Sequence, residues 1–175
     1  LQKLLAHFID GHAATNVRPA PLGFLPFLTG SVGNDLVAFT PDRAGLLDPD
    51  HPFLVAIDGV DTGDWLAAAS KYVAAGSTQL VRRESQHWLR ACQMLRLDMG
   101  LPQTAEVKVV MTSVDGSSLR THRLPIVDQP PQFGSWPRPE TKLLDGNIGY
   151  LRLAQMRPEA SEHIRGALVE FESAT

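Results

Sequence analysis

The sequence predicts an α+β fold, in which short antiparallel strands alternate with amphipathic helices along 175 residues. Short apolar runs such as FLVAI at 53–57 are bounded by turn residues, which is typical of strands. Residues 78–99 repeat apolar side chains at helical spacing, whereas residues 105–126 alternate about an Asp115–Gly116 turn in the manner of a hairpin. We find no internal repeat, so the predicted fold is built from unlike elements.

The composition is that of an ordinary globular chain, with 43% hydrophobic and 20% charged residues. The net charge of -3 and the absence of a Lys/Arg run argue against a nucleic-acid surface. No apolar stretch is long enough to cross a bilayer. Cys92 is the single cysteine, so the chain forms no internal disulfide.

The first predicted element is a short helix whose apolar side chains Leu1, Leu4, Leu5 and Phe8 share one face. Gly11 is typical of a helix C-cap and fixes where the next residue, His12, emerges. The chain begins inside this pattern, and it stops with Ile164, Leu168 and Phe171 still at helical spacing. We therefore interpret it as an excerpt from a longer protein.

The middle of the chain predicts a run of strands and helices. Residues 17–34 indicate short strands around GFLPFL, and 36–39 and 53–57 indicate two more. An Asp58–Gly59 turn leads into a helix predicted at about 64–74. In chain order there follow a long helix at 78–99 and the two hairpin strands at 105–114 and 118–126.

The last third begins with a proline-rich segment, 128–142, which is typical of a linker. NIGYLRLAQM then predicts a strand, and a final helix is predicted from Pro158 onward. The resulting organisation has four parts, at 1–20, 21–127, 128–142 and 143–175.

Residues that could carry chemistry are few. His7, Asp10 and His12 do not make a convincing metal site, because His7 faces another side of the helix and no third ligand accompanies the turn. Histidines 51, 87, 122 and 163 have polar neighbours and are interpreted as surface or capping groups. Cys92 lies on an apolar helix face and is interpreted as a buried small hydrophobe. No Gly-x-Ser-x-Gly elbow and no phosphate loop is present, and no metal or cofactor is predicted.

Three stretches together resemble the N-terminal part of the members of a known enzyme family. They are LLAHFIDGHAAT at 4–15, TPDRAGLLDPDHPFLVAIDGVDTGDWL at 40–66, and LLDGNIGYLRLAQM at 143–156. In this order they resemble the C-terminal processing (tail-specific) serine peptidases, which include the tricorn core peptidase. The resemblance implies a PDZ-like domain at 21–127 with an inserted long helix, and the first strand and helix of a peptidase core at 143–175. Pro49, Asp50, His51 and Pro52 stand where the family usually has Gly-Asp.

The resemblance also implies a function. The chain would be the N-terminal part of a serine endopeptidase that acts on a polypeptide, with a PDZ-like domain recognising the substrate tail. In this family the nucleophilic serine and the oxyanion stretch come later than Thr175, so the chain alone should be inactive. His12 falls on the position of the general base in the tricorn-like branch and of a structural histidine in the other branch, where a lysine is the base. The family suggests a periplasmic or secreted location.

The alternative function is a stand-alone peptide-binding module that takes a C-terminal carboxylate by strand addition. Leu22, Gly23, Phe24 and Leu25 would then form the carboxylate loop, with their backbone N–H groups as an anion nest. Pro26 lacks a donor, which counts against a ligand strand pairing there.

Overall fold

The computed structural model describes residues 1–8, 10, 21–132, 140–153 and 158–173 of the chain. It has the predicted mixed α+β architecture with antiparallel strands. The chain divides into two compact units, Leu1–Gln132 and Phe133–Thr175. In chain order the elements are α1 (Gln2–Leu5), β1 (Leu28–Val32), β2 (Asp35–Phe39), β3 (Phe53–Ile57), β4 (Val60–Asp61), α2 (Thr62–Ser70), α3 (Thr78–Leu89), α4 (Cys92–Asp98), β5 (Glu106–Thr112), β6 (Leu119–Pro125), β7 (Glu140–Leu144), β8 (Ile148–Arg152) and α5 (Ala160–Ser173).

The first unit contains an antiparallel sheet in the order β1-β2-β3-β5-β6, with β4 paired to β3. Ile57 of β3 lies opposite Val109 of β5, and Val109 lies opposite His122 of β6. The strand FLVAI and the predicted hairpin therefore share one sheet. Helix α2 packs on β3, where the buried indole of Trp65 donates a hydrogen bond to the carbonyl of Ile57 at 2.9 Å.

The core lies on one face of this sheet, because buried and exposed side chains alternate along β5. Val107, Val109 and Met111 are fully buried, whereas Lys108 between them is exposed. Helices α2, α3 and α4 contribute further buried apolar side chains to the same cluster, among them Trp65, Leu89 and Leu95. Cys92 belongs to this cluster and is fully buried, which confirms its interpretation as a small core residue.

The long helix predicted at 78–99 is wrong as one element, because the structure has two helices there. Helix α3 is capped by the Ser77 side chain, which accepts from the Leu80 N–H at 3.2 Å, and it ends before Arg90. Ala91 then takes a non-helical conformation with ψ near 56°, and α4 begins at Cys92. Nothing in the local sequence breaks a helix at this point. The cause is a contact with a segment far away in the chain, which is described below.

The opening helix is shorter than predicted, and its apolar face is not a core face. Leu1, Leu4 and Phe8 are all more than half exposed. Polar contacts hold α1 to the first unit instead. Lys3 pairs with Asp98 at 2.6 Å, and the Gln2 side chain donates to the carbonyl of Tyr72 at 2.8 Å.

The described part of the second unit is a β7–β8 hairpin with α5 in contact with β8. Residues 140–142, predicted as the end of the linker, form the start of β7 instead. The ring of Phe171 lies against Gly149 so closely that a Cβ there would come within 2.5 Å of it. A side chain at that position would require the Phe171 ring to shift. The assignment of four domains stays a prediction.

Candidate functional site

The residue proposed as general base, His12, lies outside the described residues, in the stretch 11–20. The Gly11 C-cap lies there too. Both roles considered for His12, base or brace, therefore stay predictions.

Two of the four residues in the segment proposed as a carboxylate loop, Phe24 and Leu25, have their backbone N–H groups already bonded. The N–H of Phe24 donates to the carbonyl of Val127 at 2.9 Å, and the N–H of Leu25 donates to the carbonyl of Arg90 at 2.8 Å. Phe24 and Leu25 are also buried, 5% and 0% exposed, although Leu22 is exposed. An anion nest needs free N–H groups at the surface, so Phe24 and Leu25 do not supply one in this structure.

The same segment explains the break between α3 and α4. A helix that stops at Arg90 frees a carbonyl there and an N–H at Gln93. The Leu25 N–H donates to the Arg90 carbonyl, and the Gln93 N–H donates to the Gly23 carbonyl at 3.3 Å. Gly23 has φ near +147°, and a Cβ there would lie 2.3 Å from Cγ of Gln93. Only glycine allows the backbone to come this close to the helix end.

The outer edge of β1, where an added ligand strand would pair, is lined by α3. The hydroxyl of Thr29 donates to the carbonyl of Gln86 at 3.4 Å, and the Gln86 amide donates to the hydroxyl of Ser31. At the other end of the sheet, β6 pairs only with β5 among the described residues. Of the two outer edges, β6 is therefore the one that strand addition could use.

A polar cluster missed by the sequence interpretation surrounds Asp48, which is 3% exposed. Its carboxylate accepts from the backbone N–H of Asp50 and of His51, at 3.1 and 3.0 Å. It also accepts from Nη1 of Arg120 at 3.0 Å and from Nε2 of His122 at 2.9 Å. The turn between β2 and β3 is thereby fastened to β6, and we call these five residues the Asp48 clasp.

The pKa of Asp48 reflects two opposing effects. Burial raises the pKa, but the hydrogen bonds from the His51 N–H, from His122 and from Arg120, together with the Arg120 charge, lower it to about 2. Asp48 is therefore an anion at neutral pH, stabilised by donors on both of the segments it joins.

Within the clasp, His51 lies between Asp48 and a nearby serine, Ser118, in an order that resembles a catalytic triad. Nε2 of His51 lies 3.0 Å from the hydroxyl of Ser118, and its Nδ1 lies 3.6 Å from Oδ1 of Asp48. The second distance is too long for a hydrogen bond, and Nδ1 of His51 is buried without a partner among the described atoms. The N–H of Ser118 already donates to Ser113, so it is not an oxyanion donor. This arrangement orders the hairpin rather than activating Ser118.

These contacts correct the sequence interpretation of His51, which is buried rather than at the surface. One signal was available in the sequence. Arg120 and His122 alternate in register with Met111 and Val109, so both lie on the core side of β6. Charged or polar side chains on that side need a buried partner, and Asp48 is that partner.

A cleft of about 690 Å³ lies between the Asp58–Gly59 turn and the segment 101–105. Arg96, which is 1% exposed, forms its wall. The Arg96 guanidinium pairs with Asp58 at 2.7 Å and donates to the carbonyls of Thr104 and Glu106, at 3.0 and 2.7 Å. With its donors engaged in this way, Arg96 gives the cleft a fixed wall.

Other kinds of site have no support in the described part of the chain. No group of three or more His, Cys, Asp or Glu side chains there could hold a metal ion. Nor does any helix of that part have the length and apolar character needed to cross a membrane. Burial raises the pKa of the Cys92 thiol to about 12, although the nearby Arg96 charge lowers it, so Cys92 is not a nucleophile at neutral pH.

Comparison with known proteins finds a likeness among the solved structures. No protein-family model and no curated protein matches the chain. The crystal structure of mature CPAF is similar over 74% of this chain and 25% of that chain, with 19% sequence identity and a TM-score of 0.45. The chain thus spans about a quarter of that protein's length.

Proposed function

We propose that the chain is the N-terminal part of a serine endopeptidase that cleaves peptide bonds, with a PDZ-like domain in its first unit. The observation that carries this proposal is where the family-like stretches fall in the fold. Ala44-Gly45-Leu46 lies in the connection before β3, and Ile57-Asp58-Gly59 ends β3 at the turn into β4. Asp58 and Gly59 both have positive φ, 52° and 80°, as a tight turn at this motif requires.

Helix α2 follows this turn at once, which is the order that the resemblance implies. The Asp61 side chain caps it by accepting from the Gly63 N–H at 2.7 Å. A strand, a tight turn and a capped helix packed on one antiparallel sheet fit a PDZ-like domain. The nucleophile belongs outside residues 1–175 in this proposal.

Labelling with a serine-directed fluorophosphonate tests where the nucleophile lies. The 175-residue chain should not be labelled, whereas a longer protein that contains it should be labelled at one serine after Thr175. Ser118 is the matched control, because its hydroxyl lies 3.0 Å from His51. Stoichiometric labelling of the short chain that disappears in Ser118→Ala would overturn the proposal.

His12 is proposed as the general base or as a brace of the turn after α1, and one substitution separates the two. In the longer protein, a base would make His12→Ala lose about 100- to 10,000-fold in rate per folded molecule, because general-base catalysis contributes that much. A brace would instead cost about 1–3 kcal/mol of stability, with activity in proportion to folded enzyme. Rate and unfolding midpoint are measured together, with His7→Ala as the control. If His12→Ala matches the parent in both, His12 has neither role.

The second candidate function is a peptide-binding module without catalysis. The edge of β6 that faces away from β5 has no partner strand among the described residues, which favours this function. The N–H groups of Leu119, Thr121 and Arg123 point away from β5, since in an antiparallel pair every second residue faces outward. A peptide could add there as a further strand. Protection of these three amides from hydrogen exchange on adding a peptide would support this function. Binding that leaves them unprotected would exclude strand addition at this edge.

A further inference from the structure

Two like charges lie opposite each other in the lining of the 690 Å³ cleft beside Arg96. Lys108 of β5 and Arg123 of β6 are directly opposite in the strand register, and both side chains are exposed. Directly opposed like charges destabilise a strand pair. Among the described residues neither side chain has an ion pair or a hydrogen bond.

The charge at this cleft is therefore positive on a chain whose net charge is -3. Arg96 and Asp58 form an ion pair, so their charges cancel. Glu106, exposed and two residues before Lys108 on the same side of β5, offsets one of the two cations. About one positive charge is left, which suits a monoanion better than a phosphate dianion.

Much of the cleft's lining is apolar. Leu101, Pro102, Ala105 and Val107 belong to it, beside the charged side chains. A volume of about 690 Å³ lies within the range of about 300–1,000 Å³ that is usual for small-ligand sites. Apolar walls with a few placed charges favour a ligand that has an apolar body and one charged end.

We propose that this cleft binds an apolar group that ends in a carboxylate, with Lys108 and Arg123 holding the carboxylate and Leu101 and Pro102 contacting the apolar part. Arg123 donates in the fork geometry that matches a carboxylate, and Lys108 adds a point charge beside it. The site is distinct from Leu22–Leu25, and the inference stands whether or not the chain belongs to a peptidase.

Binding to the 175-residue chain is measured with four probes: octanoate, a fluorescent pentapeptide ending in leucine with a free carboxylate, the same peptide as its C-terminal amide, and inorganic phosphate. Octanoate, the free-carboxylate peptide or both should bind, and the amide at least tenfold more weakly. Octanoate alone would assign the site to free acids, and the peptide alone would assign it to peptide C-termini. Binding of neither, equal binding of acid and amide, or phosphate competing as well as octanoate would each overturn the inference.

Three variants locate the site. Lys108→Gln and Arg123→Gln should each raise the Kd about two- to fivefold, as expected for exposed ion pairs, and the effect should weaken with salt. Arg83→Gln, on an exposed position of α3, is the matched control and should leave the Kd unchanged. Both cleft variants should keep or slightly raise the unfolding midpoint, because each removes one of two opposed like charges. A Kd that is the same in all three variants would place the ligand elsewhere.

Discussion

Replacing Asp48 by asparagine tests the Asp48 clasp, which fastens the β2–β3 turn to β6. The asparagine amide would turn a donor toward Arg120 or His122, both of which donate to the carboxylate in the structure. A difference of one pKa unit is about 1.4 kcal/mol. The lowering of the Asp48 pKa from 3.8 to about 2 therefore corresponds to about 2 kcal/mol of stability at neutral pH.

The dependence on pH follows from the direction of that pKa difference. Because the folded pKa is below the unfolded one, the stabilisation is complete above the unfolded value of 3.8. It is lost as the pH falls from about 4 through 2, where the folded carboxylate takes up its proton. The parent should therefore exceed Asp48→Asn by about 2 kcal/mol at pH 7, and by progressively less below pH 4.

The assay is urea unfolding at a series of pH values, followed by the fluorescence of the tryptophans. Asp50→Asn is the matched control, because Asp50 is 78% exposed and its 3.6 Å contact with the half-exposed Arg120 is screened by solvent. The Asp50→Asn control should lower the free energy of unfolding by about 0.5 kcal/mol or less. A parent-to-variant difference that stays constant between pH 7 and pH 3, or an equal cost in the control, would refute the reasoning.

Two further predictions concern Gly23 and Cys92. Gly23→Ala should lower the free energy of unfolding by about 1–3 kcal/mol, because the new Cβ would meet the Gln93 side chain at a positive φ. Gly45→Ala has open space and should be near neutral, so equal costs in urea unfolding would contradict the described contact. The Cys92 thiol should resist a water-soluble disulfide reagent at pH 8 in the folded chain and react on unfolding, because burial raises its pKa to about 12. Rapid reaction without unfolding would show that Cys92 is accessible.

The sheet of the first unit was predictable from sequence because its signals are local. The Asp115–Gly116 turn fixes the register of β5 and β6, and alternation then assigns each side chain to one face. The strand at 53–57 is apolar and flanked by turn residues, and the structure has it at those positions. These elements can be predicted without knowing which distant residues they contact.

The Asp48 clasp could be anticipated only in part. The register of the hairpin puts Arg120 and His122 on the core side, so the need for an acidic partner follows from sequence. Which acid supplies it does not follow, because Asp48 is 72 residues from Arg120 in the chain. Asp50 is two positions away from Asp48 and is the exposed one. The choice between them depends on the path of the β2–β3 connection.

The break in the helix predicted at 78–99 and the engaged N–H of Leu25 have one physical origin. A glycine within an apolar segment indicates that something approaches the backbone closely, but it does not say what. At Gly23 the approaching group is the end of α3, whose freed Arg90 carbonyl and Gln93 N–H bond the segment. A bound carboxylate would leave the same glycine in the sequence. The break in the helix and the engagement of the Leu25 N–H thus result from the same contact between Gly23–Leu25 and the end of α3.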